Sequence, residues 1–233
     1  MPNDSLVSGP RRLAAGYAYE PEMVAQAVKG LPMDSVVIDA GANIGLVTLA
    51  FAKLLPNSKI HCFEPSPHPY RSLEQTILRN GLQSRVTLNQ VALFNKAGEL
   101  DFCVHDKRDS AGDGLKDTGR AGDAETIQVP VTTVDDYVLE KNMRRLDLIK
   151  VDCEGAELYV LQGAAKTISR YHPRMVFEAE PLNVKAYGIE LSEVYSLVTK
   201  LGYRIATEQG ENVPELASFI LAGKRGNLIA YPD

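Results

Sequence analysis

The stretch Ser35-Val36-Val37-Ile38-Asp39-Ala40-Gly41-Ala42-Asn43-Ile44-Gly45 decides the fold. Its first half is an apolar run closed by an acid. Apolar runs without alternation mark strands buried on both faces, as in a parallel sheet. Its second half holds small and turn-forming residues ahead of Ile44–Leu55, which reads as a helix stopped by Pro56-Asn57. Gly41 permits a sharp turn and lets a ligand approach without meeting a Cβ. The start of the following helix offers N–H groups to an anion. Strand, tight turn and helix in this order open a doubly wound α/β sheet.

Working outward, Lys59–Phe63 is a second strand, Pro67–Asn80 a helix with Leu73, Ile77 and Leu78 toward the core, and Arg85–Leu88 a third strand. This alternation predicts parallel strands with right-handed crossovers. Gly98–His105 and Glu125–Thr133 have strand character with no helix between them, so an antiparallel extension at one sheet edge is expected after the third strand. Between them, Asp106–Asp123 is rich in Gly and Asp and reads as a mobile loop, long enough to act as a lid. Alternation resumes with strand Asp147–Asp152, helix Ala156–Arg170, strand Arg174–Ala179, helix Ser192–Leu201 and strand Tyr203–Thr207. Leu216–Ala222 is read as the last strand, closing an antiparallel hairpin at the far edge. Pro21–Gly30 is a short helix ahead of the first strand, and residues 1 to 16 form an arm, leaving 17–233 as a single domain.

The glycine loop selects among anions. Counted from Gly41, the three glycine positions of a dinucleotide fingerprint are Gly41, Asn43 and Leu46, so the close approach to a pyrophosphate is lost. No Gly-Lys-Ser/Thr follows, which excludes a P-loop. A smaller carboxylate, such as the methionine end of S-adenosylmethionine, suits Asp39, Gly41, Asn43 and Gly45 better. An ordinary capped strand-to-helix turn is the competing reading. Glu64 favours the ligand: it ends the second strand, where a carboxylate accepts hydrogen bonds from both ribose hydroxyls of an adenosine.

The net charge of -5 over 233 residues gives no basic surface for a nucleic acid. The three cysteines, Cys62, Cys103 and Cys153, form no CxxC pair, which argues against a disulfide framework or a cysteine-rich zinc site. Met1–Pro10 lacks the apolar run of a signal peptide, and no stretch reaches the roughly 20 apolar residues of a membrane span. A cytoplasmic protein is expected.

At this point the chain resembles the FkbM-type methyltransferases of the class I S-adenosylmethionine-dependent superfamily. The matching strings are Ile38–Gly45, Phe63-Glu64-Pro65, Ala92-Leu93 and, most distinctively, Ile149-Lys150-Val151-Asp152-Cys153-Glu154-Gly155-Ala156-Glu157, with Tyr19-Glu20-Pro21 before the first strand. They run from about residue 17 to about 205. Cys153 departs from the pattern, standing where an aliphatic residue is usual. The resemblance implies a seven-stranded sheet with its last strand antiparallel, S-adenosylmethionine as cofactor, and O-methylation of a hydroxyl on a sugar, glycan unit or natural product. It adds Glu20, Pro65, Ala92 and Asp152 to the cofactor residues.

The chemistry itself asks for little from the protein. The cofactor supplies the reactive methyl; the protein aligns the nucleophile, sheds water and manages one proton. Lys150 and Asp152 share one face of a strand. Asp152 is the first candidate for the base and His105 the second, with a structural Lys150–Asp152 pair as the alternative role. Lys150, Glu154, Glu178 and Glu180 are candidate acceptor-binding residues, while Glu157 is assigned to a helix N-terminus. His61 and His68 are read as structural neighbours of Glu64, and His172 as a turn residue. No ligand spacing demands a metal. The rival functions are a non-catalytic S-adenosylmethionine-binding module and an NAD(P)-dependent sugar oxidoreductase, the latter opposed by Asn43 and Leu46.

Overall fold

The computed structural model describes residues 19–105, 112–119, 123–221 and 226–233. The arm over residues 1 to 16 lies outside them, as does part of the Asp106–Asp123 loop. Among these residues the chain runs α1 (Pro21–Val28), β1 (Val36–Ala40), α2 (Leu46–Leu54), β2 (Lys59–Phe63), α3 (Pro67–Arg79) and β3 (Val86–Asn89). A small sheet follows: β4 (Ala92–Leu93), β5 (Gly98–Val104) and β6 (Glu125–Thr132). Then come α4 (Val134–Glu140), β7 (Leu148–Val151), α5 (Glu157–Gln162), α6 (Ala165–Tyr171), β8 (Arg174–Ala179) and α7 (Pro181–Lys185). The described chain closes with α8 (Leu191–Lys200), β9 (Tyr203–Thr207), α9 (Leu216–Leu221) and β10 (Gly226–Pro232).

Seven strands form the main sheet in the order β3-β2-β1-β7-β8-β10-β9. Six of them run in one direction, and β10 lies antiparallel between β8 and β9. The alternation of β1 explains the two layers. Val37 packs with Met23, Phe51 and Leu73 of α1, α2 and α3, whereas Ile38 packs with Val134, Leu161 and Val198 of α4, α5 and α8. Both are wholly buried. Burying each such side chain is worth about 1.5–3 kcal/mol, so the register of β1 is fixed from both faces. On α3, Leu73 and Ile77 are buried but Leu78 turns outward.

Several expectations are corrected. The two strands after β3 are antiparallel to one another, but with β4 they form a sheet of their own, ordered β4-β6-β5. Their apolar face, with Ala92, Phe102, Val129 and Val131, closes on Leu115 and Ala156 instead of extending the main sheet. The helix expected over Ala156–Arg170 is two helices. The Gly163 carbonyl accepts from Asp135 N (2.9 Å), and the Asp135 carboxylate accepts from Thr167 N (2.8 Å) and Lys166 N (3.1 Å), so a new helix starts there. Leu216–Leu221 is a helix, and the last strand is Gly226–Pro232. Two elements are additional. In α4, Thr133 Oγ1 caps by accepting from Asp136 N (2.9 Å), and α7 is capped by Glu180.

The chain moves outward from β1 to β3, then returns to pair β7 with β1. Strand order reverses there, and ligands of open α/β sheets bind beyond the carboxyl ends at such a point. Ala40-Gly41 and Val151-Asp152 are those ends.

Candidate active site

The glycine loop is shaped by contacts to the neighbouring strand ends. Gly41 N and Ala42 N both donate to Phe63 O at 3.0 Å, which draws the loop onto the end of β2. Gly41 has φ +72, and a Cβ there would lie 1.8 Å from Asp152 O. The space beside Gly41 is therefore filled by the protein's own backbone, not kept open for a ligand as the sequence suggested. Gly45, at φ +88, precedes α2, and a Cβ on it would meet Leu73 Cδ1 at 2.6 Å, so this glycine lets α3 pack close. Asn43, at φ 49, tolerates the left-handed region better than most side chains.

Glu64 is the pivot of the site. It is buried, Oε2 accepts from Asn43 N (2.9 Å) and Oε1 from Ser66 N (2.8 Å). Burial pushes its carboxyl up to about 7, with the two N–H donors opposing and the Asp113 carboxylate adding to the rise. A buried carboxylate keeps further lone pairs for hydroxyl donors. Pro65 is half-buried behind it. Ala92 is buried in β4, packed in the cluster of the small sheet.

A second network joins β1 to β7. Lys150 Nζ is buried; it donates to Gly41 O (2.8 Å) and lies 3.3 Å from Asp39 Oδ1 and 3.4 Å from Asp152 Oδ2. Asp39, also buried, accepts from Thr48 Oγ1 at 2.6 Å. Burial works against the Lys150 ammonium, yet the Asp39, Asp152 and Glu20 carboxylates outweigh it and hold it well above its ordinary value. Lys150 is thus engaged within the protein. It ties the glycine loop to Asp39 and is placed as a positioning residue, not for contact with an acceptor. Asp152 keeps 26% of its side chain exposed and is the accessible member of the network.

Glu20 comes to the same place from before α1. Its backbone is left-handed (φ 46), its Oε2 is buried with no hydrogen-bond partner, and Asn227 bonds its side chain. Burial, then the Asp152 carboxylate, push it up to about 7. Tyr19 stands beside it, its hydroxyl held well above its usual range by burial and by Glu20 and Asp152. Glu20, distant in sequence, therefore joins Lys150 and Asp152 in one cluster.

Across the mouth, the buried Asn183 amide donates to Glu154 Oε2 and Glu178 Oε2, both at 2.9 Å. This brings together two of the acids expected to hold an acceptor. Glu180 has a different place: its side chain accepts from Leu182 N (3.2 Å) at the start of α7. Glu157 Oε1 accepts from Cys153 N (2.9 Å) and Gly155 N (3.2 Å), at the N-terminus of α5 as expected. His105 is enclosed. Its side chain is 1% exposed, Nδ1 lies 3.5 Å from Asp113 Oδ1 and Nε2 3.6 Å from Asp117 Oδ1, so it has no open side toward an acceptor. His61 Nδ1 pairs with Tyr137 OH at 2.8 Å, away from Glu64, and His172 caps α6 in the left-handed region.

Against this geometry, the Methyltransferase FkbM domain model matches residues 39–205, most of the chain. The chain belongs to the FkbM methyltransferase family. It is similar to methyltransferase sdnD of Sordaria araneosa, 28% identical with 85% of each protein covered. It is also similar to the 31-O-demethyl-FK506 methyltransferase FkbM of Streptomyces tacrolimicus, at 26% identity over 81% of this chain and 82% of that one. Among solved structures, the methyltransferase FkbM of Methylobacillus flagellatus shares the fold, with a TM-score of 0.57 and 16% identity. The alignment covers 90% of this chain and 48% of that one, so the present chain spans about half its length.

As a member of this family the chain is a methyltransferase, and the donor set fits S-adenosylmethionine. Glu64 offers a carboxylate beside the loop at the β1 end. Glu20 Oε2 is a buried acceptor without a donor, suited to an ammonium. Sequence reasoning missed Asn183 and the Ser66–Asp113 contact (2.8 Å). No spacing links Asn183 to Glu154, 29 residues away, because the contact depends on how α7 sits over the β7–α5 turn.

Proposed function

We propose that this protein is an S-adenosylmethionine-dependent O-methyltransferase acting on a hydroxyl of a sugar, glycan unit or natural product. The observation that supports it most is Glu64, a buried carboxylate at the β2 end, joined to the glycine loop through Asn43 N. Bound there, S-adenosylmethionine supplies a methyl group on a positively charged sulfur. Glu64 would accept from the ribose hydroxyls, and the partnerless Glu20 Oε2 would receive the amino group. The N-terminal turn of α2 would offer its N–H groups to the carboxylate. Asp152, the accessible acid of the Lys150 network, would take the acceptor hydroxyl's proton as that oxygen gains the methyl group and the S–CH3 bond breaks, leaving the neutral thioether S-adenosylhomocysteine. The Glu154–Asn183–Glu178 cluster holds neighbouring hydroxyls of the acceptor.

Residues 17–233 act as one catalytic domain in this reading. Free Cys62, Cys103 and Cys153 support a reducing, cytoplasmic setting. Among the described residues no helix is long and apolar enough to cross a membrane. A small-molecule acceptor accords with the Streptomyces relative, a 31-O-demethyl-FK506 methyltransferase.

Calorimetry should detect S-adenosylhomocysteine binding and little NAD binding; failure to bind S-adenosylhomocysteine overturns the cofactor assignment. Glu64→Gln removes a charged acceptor worth about 1.5–3 kcal/mol, so affinity should fall about ten- to a hundredfold. Wild-type affinity in a folded variant removes Glu64 from the ribose. The acceptor class is tested by labelled S-adenosylmethionine with a panel of sugars, glycans and natural products. Label in none of the hydroxyl acceptors removes that part.

The pH dependence of binding has a definite sign. Before ligand arrives, the Glu64 carboxyl is pushed up to about 7 by burial, with Asp113 raising and Lys150 lowering it. Accepting from two hydroxyls favours the ionised form, so binding releases a proton. Affinity for S-adenosylhomocysteine should rise by up to about tenfold per pH unit below 7 through this group and level off above it. In Glu64→Gln this contribution should vanish. Calorimetry in buffers of different ionisation enthalpy measures the proton released.

A further inference from the structure

Residues 112–119 lie beside Ser66 and Glu154, next to the Glu64 carboxylate, and are held on several sides. Gly114 forms a bridge with β5, with Cys103 N donating to Gly114 O (2.7 Å) and Gly114 N to Cys103 O (3.1 Å). Leu115 is buried against Phe102 and Ala156. A Cβ on Gly114 would lie 3.3 Å from Glu154 Cβ. Asp113 makes the remaining tie. Its side chain is 6% exposed; Oδ1 accepts from His105 N and Oδ2 from Ser66 Oγ, both at 2.8 Å. The described part of the loop is therefore docked, where the sequence suggested mobility.

Ser66 stands between two carboxylates. Its N–H donates to Glu64 Oε1 and its hydroxyl to Asp113 Oδ2. Two acids gathered on one serine repel each other, and burying them together is unfavourable unless donors compensate. We propose that Asp113 is a positioning residue that latches residues 112–119 to Ser66, holds the Glu64 carboxylate in place through it, and must let go for the cofactor product to leave. This rests on the reading of Glu64 as the ribose acceptor. The latch couples the docking of residues 112–119 to cofactor binding: hydroxyls donating to Glu64 supply the positive dipoles that two adjacent carboxylates lack. Among the described residues, Lys150 on β7 and Cys153 just after it also act on Glu64.

The test uses the full chain, S-adenosylhomocysteine and four variants: Asp113→Ala, Ser66→Ala, the two combined, and Asp113→Asn. Each alanine variant should release S-adenosylhomocysteine about ten- to a hundredfold faster, the usual worth of a charge-assisted hydrogen bond. The double variant should be no faster than Asp113→Ala alone, because both remove one contact. Asp113→Asn keeps the bonding shape and should restore slow release. It also removes the charge facing Glu64, so the pH midpoint of binding should move below that of the wild type, a change that a purely structural role does not produce. If Asp113→Ala fails to fold, the Asp113→Asn midpoint and the Ser66→Ala release rate decide. Wild-type release in the alanine variants, or an unmoved midpoint in Asp113→Asn, overturns the latch while leaving the cofactor assignment standing. A wild-type protein that binds no S-adenosylhomocysteine overturns both.

Discussion

Gly41→Ala should destabilise the protein by about 3–5 kcal/mol, combining an overpacked contact with a left-handed backbone that alanine resists. The new Cβ would lie 1.8 Å from Asp152 O and 2.9 Å from Asp152 C, both backbone atoms that cannot swing aside. Moving Asp152 would pull on the β1–β7 junction, where Asp152 N donates to Ala40 O at 3.2 Å. The loop itself is held by Phe63 O, so neither side is free to yield. At this chain length the loss corresponds to a melting temperature lower by about 6–20 °C. Gly30→Ala is the control. Gly30 has a similar φ of +76, but nothing lies within 4 Å of its added Cβ. It should lose only the left-handed penalty of about 1–2 kcal/mol. Equal melting temperatures for the two variants would show that the Asp152 contact yields, contrary to this reading.

Asp152→Asn should lower turnover by about 10²–10⁴, the usual worth of a general base. The folded protein and its cofactor affinity should change little, because Lys150 still has Gly41 O at 2.8 Å and Asp39 at 3.3 Å. From sequence alone the same substitution threatened to leave a lone buried ammonium; the position of Asp39 removes that cost. Three measurements on one variant separate the roles. Loss of turnover alone assigns Asp152 to the acceptor's proton. Loss of S-adenosylhomocysteine affinity together with turnover assigns it to the amino group, beside Glu20. A lowered melting temperature alone assigns it to Lys150. A stable, tight-binding and fully active variant excludes all three, and His105 is then a poor successor, since its side chain is 1% exposed between Asp113 and Asp117.

The errors in reading the sequence have physical causes. Leu216-Ala217-Ser218-Phe219-Ile220-Leu221 is an apolar run short enough to suit a strand or a helix, and periodicity does not separate the two. It is helical. The true last strand, Gly226–Pro232, fits between β8 and β9 through pairings to both. By contrast α4 had a local signal that went unused: Thr133 before an apolar face of Val134, Tyr137 and Val138, with acids in the first turn.

The sequence by itself determined the main-sheet architecture and the family. Buried parallel strands, helix periodicity and the turn after β1 are local patterns, each written within a few consecutive residues. The tertiary structure alone decided what the polar residues touch. Lys150 meets the Gly41 carbonyl across 109 residues, Asp113 meets Ser66 across 47, and Asn183 meets Glu154 across 29. Those partners are set by strand register and by how loops dock on the sheet; a one-residue shift of β7 would turn Lys150 to the opposite face.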